Sequence, residues 1–154
     1  MAIQDLSELD VCSPAEAGAW LELRSPKTGN PIELSPADPD TNTPAVTAAI
    51  KLRGANSTTA QQFFRRRTNS QLATAAMGRK RIVLEAEDLL DDQATLLATV
   101  TVEWRLPPID KRAVPFSIEA AKRLYLDPRF IWIKNQVEAF FNDETPFLKN
   151  SAGS

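Results

Sequence analysis

Apolar and polar positions alternate twice near the start of the chain. Trp20-Leu21-Glu22-Leu23-Arg24 sets Leu21 and Leu23 on one face and Glu22 and Arg24 on the other, the period-two pattern of a half-buried strand. Ile32-Glu33-Leu34 resumes the alternation. Between them, Ser25-Pro26-Lys27-Thr28-Gly29-Asn30-Pro31 is turn chemistry: proline presets φ, and glycine or asparagine accepts positive φ. The pattern predicts a β-hairpin over 19–34. Residues 35–44, SPADPDTNTP, carry no large apolar side chain and form a surface loop. Ala45 to Arg53 reads as a third strand on Val46, Thr47, Ile50 and Leu52, although its alanine spacing also tolerates a helix.

Past Arg53 the period lengthens. Gly54-Ala55-Asn56-Ser57 breaks the strand and offers N-caps at Asn56 or Ser57. Thr58 to Met77 has neither proline nor glycine, and Phe63, Phe64, Leu72 and Met77 give it a sparse apolar stripe. A helix is expected there, with Gly78 as its C-cap. Ile82, Ala86, Leu89, Leu90, Leu97, Val100 and Trp104 recur at helical spacings, which predicts a second helix over 81–103 with one buried face. The pair would form an αα-hairpin about Gly78. Pro107-Pro108 ends the second helix, because proline cannot continue it. Ser117 caps a helix over 118–126, with Glu119 favourably placed in its first turn. Asp127-Pro128 opens the last helix as cap and first helical position, and Ile133, Val137, Phe140 and Phe141 form its apolar face.

The expected fold class is α+β and helix-dominated: an N-terminal β-hairpin or small sheet, then about four helices. A single domain over 18–149 divides into a β-rich part, 18–53, and a helical part, 57–149. Residues 1–17 are expected to be a flexible segment or a short helical turn. Phe147 and Leu148 fold back on the core, and residues 150–154 are expected to be a disordered tail.

Composition narrows the chemistry. The 154 residues suit one domain, and with 43% hydrophobic and 25% charged residues the chain resembles an ordinary globular protein. The absence of histidine removes an imidazole base, a Ser/His or Cys/His nucleophile pair and an imidazole metal ligand. The single cysteine, Cys12, allows no internal disulfide and reads as a free thiol in a reducing cytoplasm. No apolar run is long enough to cross a bilayer, and the acidic start MAIQDLSELD is not a signal peptide. The five glycines are scattered, so no phosphate-cradling loop is present. Glu85, Glu87, Asp88, Asp91 and Asp92 cluster, with Asp88 spaced from Asp91 and Asp92 as on one helix face. That spacing could hold a metal, but a solvated helix face is the simpler reading. The expectation is a protein that is not an enzyme and carries no cofactor and no metal.

The net charge of −2 conceals segregation. Residues 1–50 sum to −6, 51–81 to +8, 82–103 to −6 and 104–154 to +2. The basic block comprises Lys51, Arg53, Arg65, Arg66, Arg67, Arg79, Lys80 and Arg81. It fits pairing with the acidic neighbouring helix, a docking surface for an acidic protein, or phosphate binding, in that order. Three consecutive arginines cannot all face one partner on a helix.

From Val114 to Asn150 the chain resembles the tail assembly chaperones of long-tailed bacteriophages (siphophages) and related prophages. The likeness rests on Trp104, Pro115-Phe116-Ser117, Leu124-Tyr125, Asp127-Pro128, Trp132-Ile133, Gln136-Val137, Phe140 and Phe147. It extends N-terminally to the Ser25–Pro31 turn, where Ser25 replaces an acid, and to Asn56-Ser57 at a helix start. The insert 35–44 has no counterpart in it. The resemblance implies a non-enzymatic factor of the host bacterial cytoplasm that binds the phage tape-measure protein and tail-tube protein during virion morphogenesis. Homo-oligomers fit this picture; a membrane does not, and the charge balance argues against nucleic acid. The alternatives are a structural tail or neck protein retained in the virion, and a nucleic-acid-binding regulator using 51–81. Candidate partner-binding residues are the basic stripe Arg65, Arg66, Arg79 and Arg81 and the aromatic end Trp132, Phe140, Phe141 and Phe147; the aromatics also fit a purely core role.

Overall fold

The computed structural model of the chain describes residues 5–76 and 86–152. The fold is α+β, with a small antiparallel sheet backed on one face by helices. The chain enters through a 3-10 turn, Leu6–Leu9, and a short helix α1, Cys12–Ala17. Strand β1, Ala19–Glu22, follows. Next come β2 (Glu33–Ser35), β3 (Val46–Thr47) and β4 (Ala49–Leu52). Helices α2, Thr58–Ala76, and α3, Ala86–Val100, precede β5, Thr101–Arg105. The chain then adds α4 (Ile118–Leu126), a 3-10 turn at Pro128–Phe130, α5 (Ile131–Phe141) and α6 (Thr145–Ala152).

The main sheet has the order β1-β4-β5, all antiparallel, with β4 central. Its register pairs Leu21 with Ile50 and Ile50 with Trp104, so these three form one row facing the helices. Trp20, Lys51 and Glu103 form a row on the other face, where the Arg105 guanidinium lies 4.5 Å over the Trp20 ring. The core is built on Leu23, Ile50, Leu52, Leu97, Val100 and Val137, all fully buried. Burial at β4 is nearly continuous, as expected of the strand flanked on both edges. Gly18 is required where α1 turns into β1. It sits at φ +88°, and a Cβ there would lie 2.9 Å from the Leu52 carbonyl oxygen.

Several expectations change. The turn over 24–31 forms: the Ser25 N–H donates to Asn30 O at 2.8 Å, and Ile32 N–H to Leu23 O. Arg24 and Pro31 form an antiparallel bridge beside it, so the inner part of the hairpin is present, but the strands beyond do not pair with each other: β1 joins β4, and β2 joins β3 in a separate two-stranded sheet. Residues 45–53 take the strand option. The helix expected over 81–103 ends at Val100, and Trp104 belongs to a strand. Thr99-Val100-Thr101-Val102 is a β-branched run that loses rotamer freedom in a helix, and the edge of β4 stood open to pair with it. Residues 6–17 are helical turns rather than a flexible segment, docked by the buried Ala15. Residues 150–152, expected in a disordered tail, complete α6. The αα-hairpin turn at Gly78 lies outside the described residues.

Caps that depend on neighbours in sequence are as expected. The Ser117 hydroxyl accepts from Ala120 N–H at 3.0 Å, and Asp127 caps the turn at Pro128. At the junction of α3 and β5, the Thr101 hydroxyl donates to Leu97 O at 2.7 Å and lies 2.8 Å from the Tyr125 hydroxyl. Burial pushes the Tyr125 phenol up, so it remains neutral in this pairing.

Candidate partner-binding cleft

The loop between β5 and α4 forms one wall of an apolar trough. Pro107 and Pro108 prevent the chain from continuing β5 as a paired strand. Asp110 and Lys111 then take φ of +50° and +67°, and Ile109 and Arg112 exchange backbone hydrogen bonds of 2.9 and 3.0 Å. Two consecutive residues at positive φ make a tight hairpin of the I′ kind. Two clamps hold this loop. The Trp104 indole N–H donates to Val114 O at 3.0 Å, and its ring meets Phe116 edge-on at 5.3 Å. On the other side, Arg129 donates to both Asp110 carboxylate oxygens, at 3.1 and 3.2 Å, and to Asp127 at 2.9 Å. The hydrogen bonds from the Arg129 side chain, then from its backbone N–H, hold the Asp127 carboxyl below its ordinary value.

Beneath the loop lies a cleft of about 290 Å³, lined by Leu23, Ile32, Leu106, Ile109, Phe130 and Trp132, among others. A second hollow of about 240 Å³ adjoins it, bounded by Trp104, Val114, Ala120 and Arg123. Ile109, Leu124 and Phe130 line both, so the two are halves of one trough. Lys111, Arg112 and Arg123 are exposed at this end of the molecule and make no ion pair among the described residues, whereas Arg129 is held by two carboxylates. Glu33 and Glu119, next to the lining residues Ile32 and Ala120, are likewise exposed and without an ion pair among the described residues, so the rim of the trough is mixed in charge.

The expected site residues do not form one surface. Trp132 is half-buried and lines the cleft. Phe140 is half-buried and stacks edge-on against Phe147 at 5.3 Å. Phe141 and Phe147 are 4% and 3% exposed, so neither is available to a partner; both are core. Phe141 falls at i+8 from Ile133, the spacing of a buried face, and Phe147 folds back on the core as expected. Arg65 and Arg66 are exposed on α2, away from the trough's lining. Arg79 and Arg81 lie outside the described residues.

The basic block is partly absorbed by local pairs. Arg67 meets Asp92 of α3 at 3.3 Å, a pairing of the kind expected between oppositely charged helices. Arg53 bonds Glu16, whose carboxylate also accepts from the Thr59 N–H and hydroxyl at 3.0 and 2.8 Å. Burial pushes the Glu16 carboxyl up, but the Thr59 hydrogen bonds and then Arg53 together outweigh it, and the net shift is downward. In the acidic cluster, Asp91 bonds Lys122 of α4 at 3.1 Å. Among the described residues, no group of three or more carboxylate or thiol side chains is placed to hold a metal ion.

Two contributors owe their roles to the fold more than to their local pattern. The Ile109–Arg112 hairpin turns at Asp110-Lys111, which lacks the usual glycine; its sequence signal is Pro107-Pro108 followed by a short polar pair. Gln136 is the other. Its side-chain oxygen accepts from Arg24 N–H at 3.0 Å and its amide donates to Arg24 O at 2.9 Å, so it does for Arg24 what a neighbouring strand would.

No protein-family model, no curated protein and no solved structure matches the chain. Among the described residues, no helix is long and apolar enough to cross a membrane.

Proposed function

We propose that this chain is a tail assembly chaperone of long-tailed bacteriophages and related prophages. It acts without catalysis in the bacterial cytoplasm, binding tape-measure protein and tail-tube subunits before the tube polymerises. The observation that carries the reading is the order of turn, cap and aromatic positions from Trp104 to Phe147. These positions have distinct duties around one feature. Trp104 clamps the trough's outer wall, Ser117 and Asp127 start the elements beside it, Trp132 lines it and Gln136 ties α5 to the strand end.

The physical logic follows from the trough. A concave apolar surface of this size takes one or two large side chains of an amphipathic helix and leaves the helix's polar flank to the charged rim. A tape-measure helix without its tube exposes apolar stripes that aggregate unless covered. A contact this small gives modest affinity, which lets the growing tube displace the chaperone.

Co-expression with the tape-measure protein from the same genome, followed by affinity capture of this chain, tests the reading. The expected result is that the tape-measure protein is soluble and co-purifies only when this chain is present. A tape-measure protein that stays insoluble, or that is soluble but not captured, overturns it. Stoichiometric recovery of this chain in purified particles would instead identify a structural virion component.

A further inference from the structure

The loop that walls the trough has a tip under opposed forces. Asp110 and Lys111 are consecutive non-glycine residues in left-handed backbone, at φ +50° and +67°. That conformation strains an L-residue, because its Cβ crowds the following carbonyl. Two contacts hold the tip against this strain: the Ile109–Arg112 backbone pair and the Arg129 fork on the Asp110 carboxylate. The fork lies in water, with the Arg129 and Asp110 side chains 55% and 71% exposed, so its contribution is small and screened by salt. Asp110 is the one carboxylate in residues 104–116, so no other side chain of the loop can replace it. The root is anchored separately, by the Trp104 hydrogen bond to Val114 O and the Trp104–Phe116 stack. Strain and attachment therefore compete at the tip alone.

The tip also sits where it matters to the trough. Ile109 and Phe130 line both hollows, so they stand where the two meet. Asp110 follows Ile109, and Arg129 precedes Phe130, with its guanidinium 5.0 Å over that ring. The ion bridge thus spans from the loop to the Pro128–Phe130 turn at the junction of the hollows. Leu124, only 5% exposed, also lines both.

We propose that the Asp110–Arg129 bridge is the latch of a gate over the trough. When it parts, Asp110 and Lys111 relax to negative φ, the Ile109–Arg112 pair opens, and the tip lifts about its anchored root. A client side chain enters the opened trough, and the latch recloses over it. The latch sets the rates of entry and release together. This role rests on the trough being the client site; the opening itself is a property of this chain alone.

Amide hydrogen exchange by NMR and thiol labelling of the full chain, without any client, test this. Asp110→Asn removes the charge but keeps a residue that tolerates left-handed backbone. It is expected to speed exchange of the Ile109 and Arg112 amides roughly three- to tenfold. Salt at about 1 M is expected to do the same to wild type and to leave Asp110→Asn unchanged. Lys111→Gly relieves strain and retains the carboxylate, and is expected to slow both amides. Exchange in β4 is expected to stay constant throughout, which separates the gate from global unfolding. In a Cys12→Ser background, the thiol introduced by Leu124→Cys is expected to react with neutral dithiodipyridine faster with Asp110→Asn and slower with Lys111→Gly. Equal exchange at Ile109 and Arg112 in Asp110→Asn and wild type overturns the proposal. So does exchange that changes while labelling does not, because the tip would then fray without opening the trough. Neither result depends on a tape-measure protein, so the gate and the chaperone reading fail separately.

Discussion

Gln136 shows how far a single residue can be read before its partner is known. It is a polar position between the apolar Ile133 and Val137 on one helix. Its partner, the Arg24 backbone, lies 112 residues earlier, so nothing local could reveal the pair. Ser117 and Asp127 are the opposite case. Their hydrogen bonds reach two or three residues ahead, and both were legible as caps. Phe141 lies between: its apolar spacing from Ile133 was plain, but exposure is set by what packs on top. Replacing Gln136 with Ala removes two hydrogen bonds to the strand end. A typical bond contributes about 0.5–1.5 kcal/mol, so the loss is expected to be roughly 1–3 kcal/mol. Urea unfolding of Gln136→Ala checks this; a midpoint equal to wild type would mean that water replaces the amide at no cost.

Helix α3 and strand β5 show why element boundaries were harder to read than element types. The apolar periodicity of α3 continues numerically to Trp104, because a seven-residue step from Leu97 lands there. The β-branched run from Thr99 to Val102 and an unoccupied edge of β4 decided otherwise. The hairpin over 19–34 illustrates the same competition. Its turn formed as chemistry required, while β1 and β2 found their strand partners elsewhere, in β4 and β3. Helix α1 was legible only as a short helical turn, since its docking depends on Glu16 reaching Arg53 and Thr59. That clasp has a pH signature. The folded Glu16 carboxyl titrates below its ordinary value, so its contribution is present above the ordinary glutamate range and is lost as pH falls through the folded value. Melting temperature is therefore expected to drop on acidification from about pH 5 to about pH 3, and Glu16→Gln is expected to flatten part of that drop. An identical pH profile for the variant would remove the clasp from the account.

At the scale of the whole molecule, the charge blocks were legible and their deployment was not. Of the described members of the +8 segment, Lys51 lies on a sheet face, Arg53 joins the α1–α2 clasp and Arg67 pairs with α3, while Arg65 and Arg66 are exposed. The trough emerged from a different part of the chain. Its walls come from residues 23–32, 104–114 and 120–133, segments distant in sequence that only the completed fold brings together. The central claim is that this trough is where a client helix docks. Amide hydrogen exchange of the chain, with and without the tape-measure protein from the same genome, tests that most directly. The account predicts slowed exchange at residues 106–114 and 123–133 in the complex. Slowed exchange confined to other parts of the chain, with those two segments unchanged, would contradict it.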